Sequence, residues 1–298
     1  MRIGLIDVDG SKKFPNLALM KISAYHKSRG DTVEWAYAME HYDIVYQSKV
    51  FDDTYSRDID WIPNADVVIK GGTGYGLDNV LPDEIEHQYP DYGLYPDITK
   101  DTAYGFLSRG CPRHCEFCIV GDEEGLRSVK VADLSEFWRG QKYIKLLDPN
   151  LLCCKDRLEL LDQLADSRAY VDFTQGLDIR AMNPDVIDRI NRIRLKEIHF
   201  AWDNPKQDLR TEFSYYAGAA KHKPHGDFGT VYVLTNFNST IEEDLYRIYT
   251  LREMGYLPDV RVYDKPNAPK EIRDLQRWCN NRWIFKSCPR FEDYDRRR

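Results

Sequence analysis

No stretch of the chain approaches the roughly eighteen uncharged apolar residues that a membrane-spanning helix needs, which excludes helical membrane spans. The apolar start at residues 1–7 is too short for the core of a secretory signal, so none is expected. Seven cysteines are an odd number, and without a signal a disulfide knot is not expected. The thiols therefore imply a reducing compartment, with the cytoplasm as the default. An excess of basic charge is also lacking. The net charge of −7 argues against a surface coated in basic patches for non-specific nucleic-acid binding. His26, His41, His87, His114, His199, His222 and His225 fall into no recognisable ligand spacing, and most are expected at the surface or as satisfied core residues.

What the chain does have is enough material for one large or two ordinary domains: 298 residues, 42% of them apolar. Charge is uneven, acidic in the first hundred residues and basic in the last segment. That segment ends in Arg296, Arg297 and Arg298, which are expected to form a solvated tail able to touch phosphate.

Periodicity and punctuation predict strands at 2–8, 32–36, 42–46 and 65–70 and a helix at 17–28 closed by Gly30, a small open α/β domain over residues 1–81. The glycine-rich run 71–76 has no clear helix behind it to meet a phosphate, so it is expected to be a tight turn facing the rest of the chain. Pro82, Pro90 and Pro96 predict an extended linker over 82–100. Strand and helix then alternate across 101–275. The predicted strands are 104–108, 143–147, 170–173, 197–201, 231–234 and 260–263, and the helices 156–165, 184–193, 210–221, 240–254 and 270–279. Asn183-Pro184 supplies a helix start, and Ser239 with Glu242 a capping box before the stop at Gly255. Residues 276–298 form an aromatic and basic extension, a candidate helix closing the open side of the domain.

Three thiols lie within eight residues at Cys111, Cys115 and Cys118, directly after the first strand of this second domain. Thiolates are soft ligands that select iron–sulfur clusters, zinc or copper(I). Structural zinc usually takes four ligands in paired clips, and here His114 would have to complete the set. Cys153 and Cys154 are adjacent, poorly placed to share one cluster, and are assigned to packing. Cys279 and Cys288 are too few for a second cluster.

The Cys-x3-Cys-x2-Cys spacing, with Phe117 just before the last cysteine, resembles the signature of radical SAM enzymes. The resemblance implies that Cys111, Cys115 and Cys118 hold a [4Fe–4S] cluster whose fourth iron chelates S-adenosylmethionine. Reductive cleavage then gives a 5′-deoxyadenosyl radical that abstracts hydrogen, with the electron from a partner such as flavodoxin or ferredoxin. Phe117 would lie near the adenine. It further implies that 101–275 forms a six-unit (βα)6 partial barrel, in agreement with the count of strand–helix units. Asp148 and Asn150 resemble a second-strand motif of the family branch with a cobalamin domain, Asp148 meeting the methionine amino group. Arg180 is the candidate for the methionine carboxylate. Gln175 and Asp203, also at strand ends, are further cofactor-binding candidates. The first domain resembles the cobalamin-binding domain of that branch, but its loop at residues 7–13 lacks the cobalt-ligating histidine, so cobalamin is not expected to copurify. The substrate is not named by the sequence. Radical methylation or thiolation of RNA or a peptide is the alternative within enzymes, and an iron–sulfur sensor that binds no S-adenosylmethionine is the alternative outside them.

Overall fold

The computed structural model describes residues 1–10 and 14–295. Part of the 7–13 loop and the terminal arginines Arg296, Arg297 and Arg298 lie outside the described residues.

The protein is α/β, with two parallel sheets. In the first, β1 (Arg2–Asp7), β2 (Thr32–Trp35), β3 (Tyr42–Ser48) and β4 (Ala65–Gly71) lie in the order β2-β1-β3-β4. Helix α1 (Leu17–Ser28) starts at Asn16, whose side chain accepts from the Leu19 amide, and it buries Leu19 and Ile22 against Ile3 and Leu5. The expected strands and helix of this region are all present. Glycine at 72 and 74 is required because a Cβ there would collide with the carbonyls of Lys49 and Phe51. Thr73 in the same turn donates to Glu123 (2.9 Å), so the turn does face the rest of the chain.

The linker is not extended. It forms α2 (Asp83–Glu86), a 3₁₀ turn at Tyr92–Leu94 and α3 (Pro96–Thr99). Pro82 and Pro96 start short helical turns here instead of straightening the chain, because polar contacts tie the segment to α1 and to the turn around Phe137. Asp91 accepts from Ser23 (2.6 Å) and Lys27 (2.6 Å), whereas the Tyr92 hydroxyl donates to the carbonyl of Phe137 (2.6 Å).

The second sheet contains β5 (Thr102–Gly105), β8 (Tyr143–Leu146), β9 (Tyr170–Leu177), β10 (Arg194–Ala201), β11 (Thr230–Thr235) and β12 (Leu257–Val262), side by side in chain order and all parallel. Between β5 and β8 lie the short antiparallel pair β6 (Ser108–Arg109) and β7 (Val129–Lys130) and helix α4 (Val120–Glu123). Strand β5 therefore ends at Gly105, short of the expected residue 108, and the cysteines are carried on a hairpin-like excursion.

Five helices follow the later strands: α5 (Arg157–Ser167), α6 (Pro184–Arg192), α7 (Arg210–Ala219), α8 (Ile241–Glu253) and α9 (Lys270–Asn280). Their apolar stripes share one core with every second strand residue, including Ile144, Val171, Phe173, Ile198, Phe200, Val231 and Val260. Asn183 caps α6 as expected, its side chain accepting from Val186 (3.0 Å). The capping box of α8 is one residue later than expected: Thr240 and Glu243 make both reciprocal bonds. Helix α10 (Arg282–Ser287) packs on the helix layer, with Phe285 against Trp278 and its carbonyl receiving Arg252 (2.7 Å). No helix among the described residues is long and apolar enough to cross a membrane.

The alternate strand residues form a second face of unusual polarity. Lys145, Asp172, Glu197, His199, Tyr232, Asp259 and Arg261 all fall out of phase with the core positions.

Candidate functional site

The cysteine loop is fixed at both ends. Gly110, at φ +85°, sits where a Cβ would strike the carbonyl oxygen of Arg127. Its amide donates to Glu124 (2.9 Å), and the same carboxylate holds Arg109 (2.9 Å). Beyond it the Cys111 amide donates to Gly125 (3.1 Å), and the Cys118 amide closes a turn on Cys115 (2.9 Å). His114 takes a left-handed conformation at φ +46°, which lets the chain reverse between the first two thiols. Side chains from later loops reach the same place: Arg113 pairs with Asp178 (2.6 Å), and Asn238 donates to Glu116 (3.3 Å).

The three thiols share one electrostatic neighbourhood. Burial pushes the Cys115 thiol up, and Cys118, Asp203 and Cys111 add to that while Arg180 opposes it. Cys118 is raised by burial and by Cys111 and Asp203. Protonated thiols are therefore the resting form of Cys115 and Cys118, and coordination to a metal would deprotonate them.

Asn150 lies against this loop. Its side-chain nitrogen donates to the Cys111 sulfur (3.3 Å), and its Oδ1 is buried with no partner. Phe117 is half-buried and packs edge-on against Phe237 (5.6 Å), which in turn meets Tyr263 (4.8 Å), making an aromatic wall beside the loop. Asp203 is partly buried, its carboxyl pushed up to about 6 by desolvation against the pull of Arg247 and Arg180.

Three other candidates have partners or places of their own. Asp148 does not face the loop's open side; its buried carboxylate accepts from the amides of Leu107 and Ser108 and from the Ser108 hydroxyl (2.8 Å). It positions the start of the cysteine loop. The fork of Arg180 is already filled, by Asp178 (2.7 Å) and Gln207 (2.9 Å). Gln175 is exposed and lies within β9, which runs on to Leu177 past a bulge at Gly176 (φ +98°). Cys154 is buried as packing requires, but Cys153 is half-buried and feels the charges of Asp178, Arg113 and Cys111, so it borders the site.

Sequence reasoning missed Arg247. It is fully buried in α8, pairs with Asp244, and donates to the carbonyls of Trp202 (2.7 Å), Asp203 (2.9 Å) and Leu234 (2.8 Å). One guanidinium thus ties together the ends of β10 and β11. The available signal was an Asp–Arg pair three residues apart inside an otherwise amphipathic helix.

The chain matches no family model and no curated protein.

Proposed function

We propose that the chain is a radical SAM enzyme and that its second sheet curves into the six-unit partial barrel of that family, with the polar strand face as its lumen. The carrying observation is a loop with three thiols in eight residues, Cys111 among them receiving a donor from the Asn150 amide, whose own oxygen is buried without a partner. These residues fit a [4Fe–4S] cluster: three soft donors in one loop, which leave one of the four irons without a protein ligand. When bound, the cluster and S-adenosylmethionine supply a 5′-deoxyadenosyl radical for hydrogen abstraction.

The protein's own contribution is placement. Glu124 and Asp148 hold the two ends of the β5–loop connection, and the Asn150 amide polarises one sulfur. Phe117 offers a flat apolar surface on which an adenine can lie. Asp203 supplies a carboxyl beside the thiols, suited to an ammonium or a hydroxyl group. The substrate class, hydrogen abstraction against methylation or thiolation of RNA or a peptide, belongs to the same proposal as an open assignment. So do a cytoplasmic location and a flavodoxin- or ferredoxin-type reductant.

Anaerobic reconstitution tests the reading. The chain should hold about four irons, lose them when Cys111, Cys115 and Cys118 are replaced by alanine, and keep them when Cys153 and Cys154 are replaced. Reduced protein should then convert S-adenosylmethionine to methionine and 5′-deoxyadenosine. S-adenosylhomocysteine as the sole product would indicate ordinary methyl transfer, iron without turnover a sensor, and zinc in place of iron would end the proposal.

A further inference from the structure

The polar face of the second sheet contains a group of donors that the cysteine loop does not use. Asp172 on β9 and Glu197 on β10 are register partners on adjacent parallel strands, and His199 follows two residues on along the same face. One ligand atom from each lies within 4.8 Å of the others. Asp172 lies five residues before the end of β9, roughly 15 Å along the strand from the end nearer the cysteines.

We infer that Asp172, Glu197 and His199 form a second metal site, for a divalent ion of the zinc class. Acidic neighbours alone would not carry this, since lysines often balance them. The arrangement of individual atoms does. Lys145 pairs with Oδ2 of Asp172 (3.2 Å) and Lys196 with Oε1 of Glu197 (3.1 Å), so each lysine takes the oxygen facing away from the imidazole. The other two oxygens face His199, Asp172 Oδ1 at 3.9 Å from Nδ1 and Glu197 Oε2 at 3.9 Å from Nε2, both too far for a hydrogen bond. Asp172 is 4% exposed, and that Oδ1 is a buried acceptor with no partner.

The imidazole is held in one orientation, with Nε2 toward Glu197. Its Nδ1 lies 3.0 Å from the Phe173 carbonyl, a contact that requires the proton on Nδ1 and leaves the Nε2 lone pair free. Tyr232 stacks on the ring at 5.3 Å and carries Arg261 on its own face. One imidazole and two carboxylates suit zinc and its first-row neighbours, and three protein donors leave a position open to water or substrate. The thiols of the cysteine loop contribute nothing to this set, so the inference stands apart from the proposed function.

The test uses the full-length chain, metal-free, with Cys111, Cys115 and Cys118 replaced by alanine to remove the competing soft ligands. Co²⁺ is the probe, because sulfur ligands add intense charge-transfer absorption and nitrogen or oxygen ligands do not. One Co²⁺ per chain should bind with a sulfur-free spectrum and raise the unfolding temperature. Asp172→Asn and His199→Gln should each weaken binding by at least about tenfold, and Lys196→Gln should leave it equal or tighter by removing a competing cation. Should Asp172→Asn fail to fold, His199→Gln and the metal-dependent rise in unfolding temperature carry the test. No binding, a sulfur-type spectrum, or affinity unchanged in either ligand variant would overturn the inference.

Discussion

Asp148 Oδ1 accepts both the backbone amide and the hydroxyl of Ser108, so a residue after β8 fixes the first residue of the strand leading into the cysteine loop. The contact is buried, and desolvation raises the Asp148 carboxyl to about 6.

This gives a pH signature. Because the folded state holds the proton to higher pH than the unfolded chain, Asp148 stabilises the fold fully below about pH 4, and that stability is lost as pH rises through about 6. Asp203 titrates in the same window and in the same direction. Urea unfolding of the parent and of Asp148→Asn between pH 4 and 7 should show their stability difference shrinking by roughly 3 kcal/mol as pH rises. A constant difference would remove Asp148 as the source.

Gly110 tests the loop's backbone. Its left-handed conformation and the Arg127 carbonyl beside it make Gly110→Ala strained by about 1–3 kcal/mol. Reconstituted iron should fall in the variant while the far-ultraviolet circular dichroism is unchanged. Normal iron content would show that the loop tolerates another path.

Arg247 binds three strand-end carbonyls from inside the helix layer. Replacing it with methionine should cost about 3–5 kcal/mol by denaturant unfolding, since Asp244 and the carbonyls of Trp202, Asp203 and Leu234 lose their donor. Arg247→Lys should recover only part, because an ammonium cannot present a planar fork. Full recovery by lysine would reduce the residue to a charge.

Arg180 is expected to matter less than its position suggests. Asp178 retains Arg113 when Arg180 is removed, and Arg180 itself is about a third exposed. Arg180→Ala should change S-adenosylmethionine affinity by less than about 1 kcal/mol. A loss of 2–4 kcal/mol, the range for unpairing a buried charge, would mean that the guanidinium exchanges Asp178 for the ligand.

The strand–helix alternation was legible because each element of the second sheet carries its own apolar period and its own end signals, as at Asn183-Pro184 and Gly255. The cysteine loop stood out in the sequence because three soft ligands fall within eight residues. Partnerships were not legible. Asp148 and Arg180 lie near the cysteine loop, but nothing in the sequence says that Ser108 and Asp178 are their partners. The linker was misread because its prolines are local signals, while its shape is set by Ser23, Lys27 and Phe137, each distant in sequence. His199 was set aside for want of ligand spacing along the chain, whereas Asp172 meets it from the neighbouring strand and Glu197 from two residues back on its own strand. Spacing rules written for one loop or one helix do not register that geometry.

The second sheet lists its strands in the order in which they are synthesised. Within this sheet each strand pairs with the sheet strand made before it, so the sheet can grow by one strand and one helix at a time, each step closing a single crossover. A nascent chain that has emerged only as far as α7 already contains the three cysteines, Asp172, Glu197 and His199. It still lacks Tyr232 to stack on the imidazole and Arg247 to tie down the carbonyls of Trp202 and Asp203. These side chains are thus made early, and Tyr232 and Arg247, which pack on His199 and fix the loop after β10, arrive last.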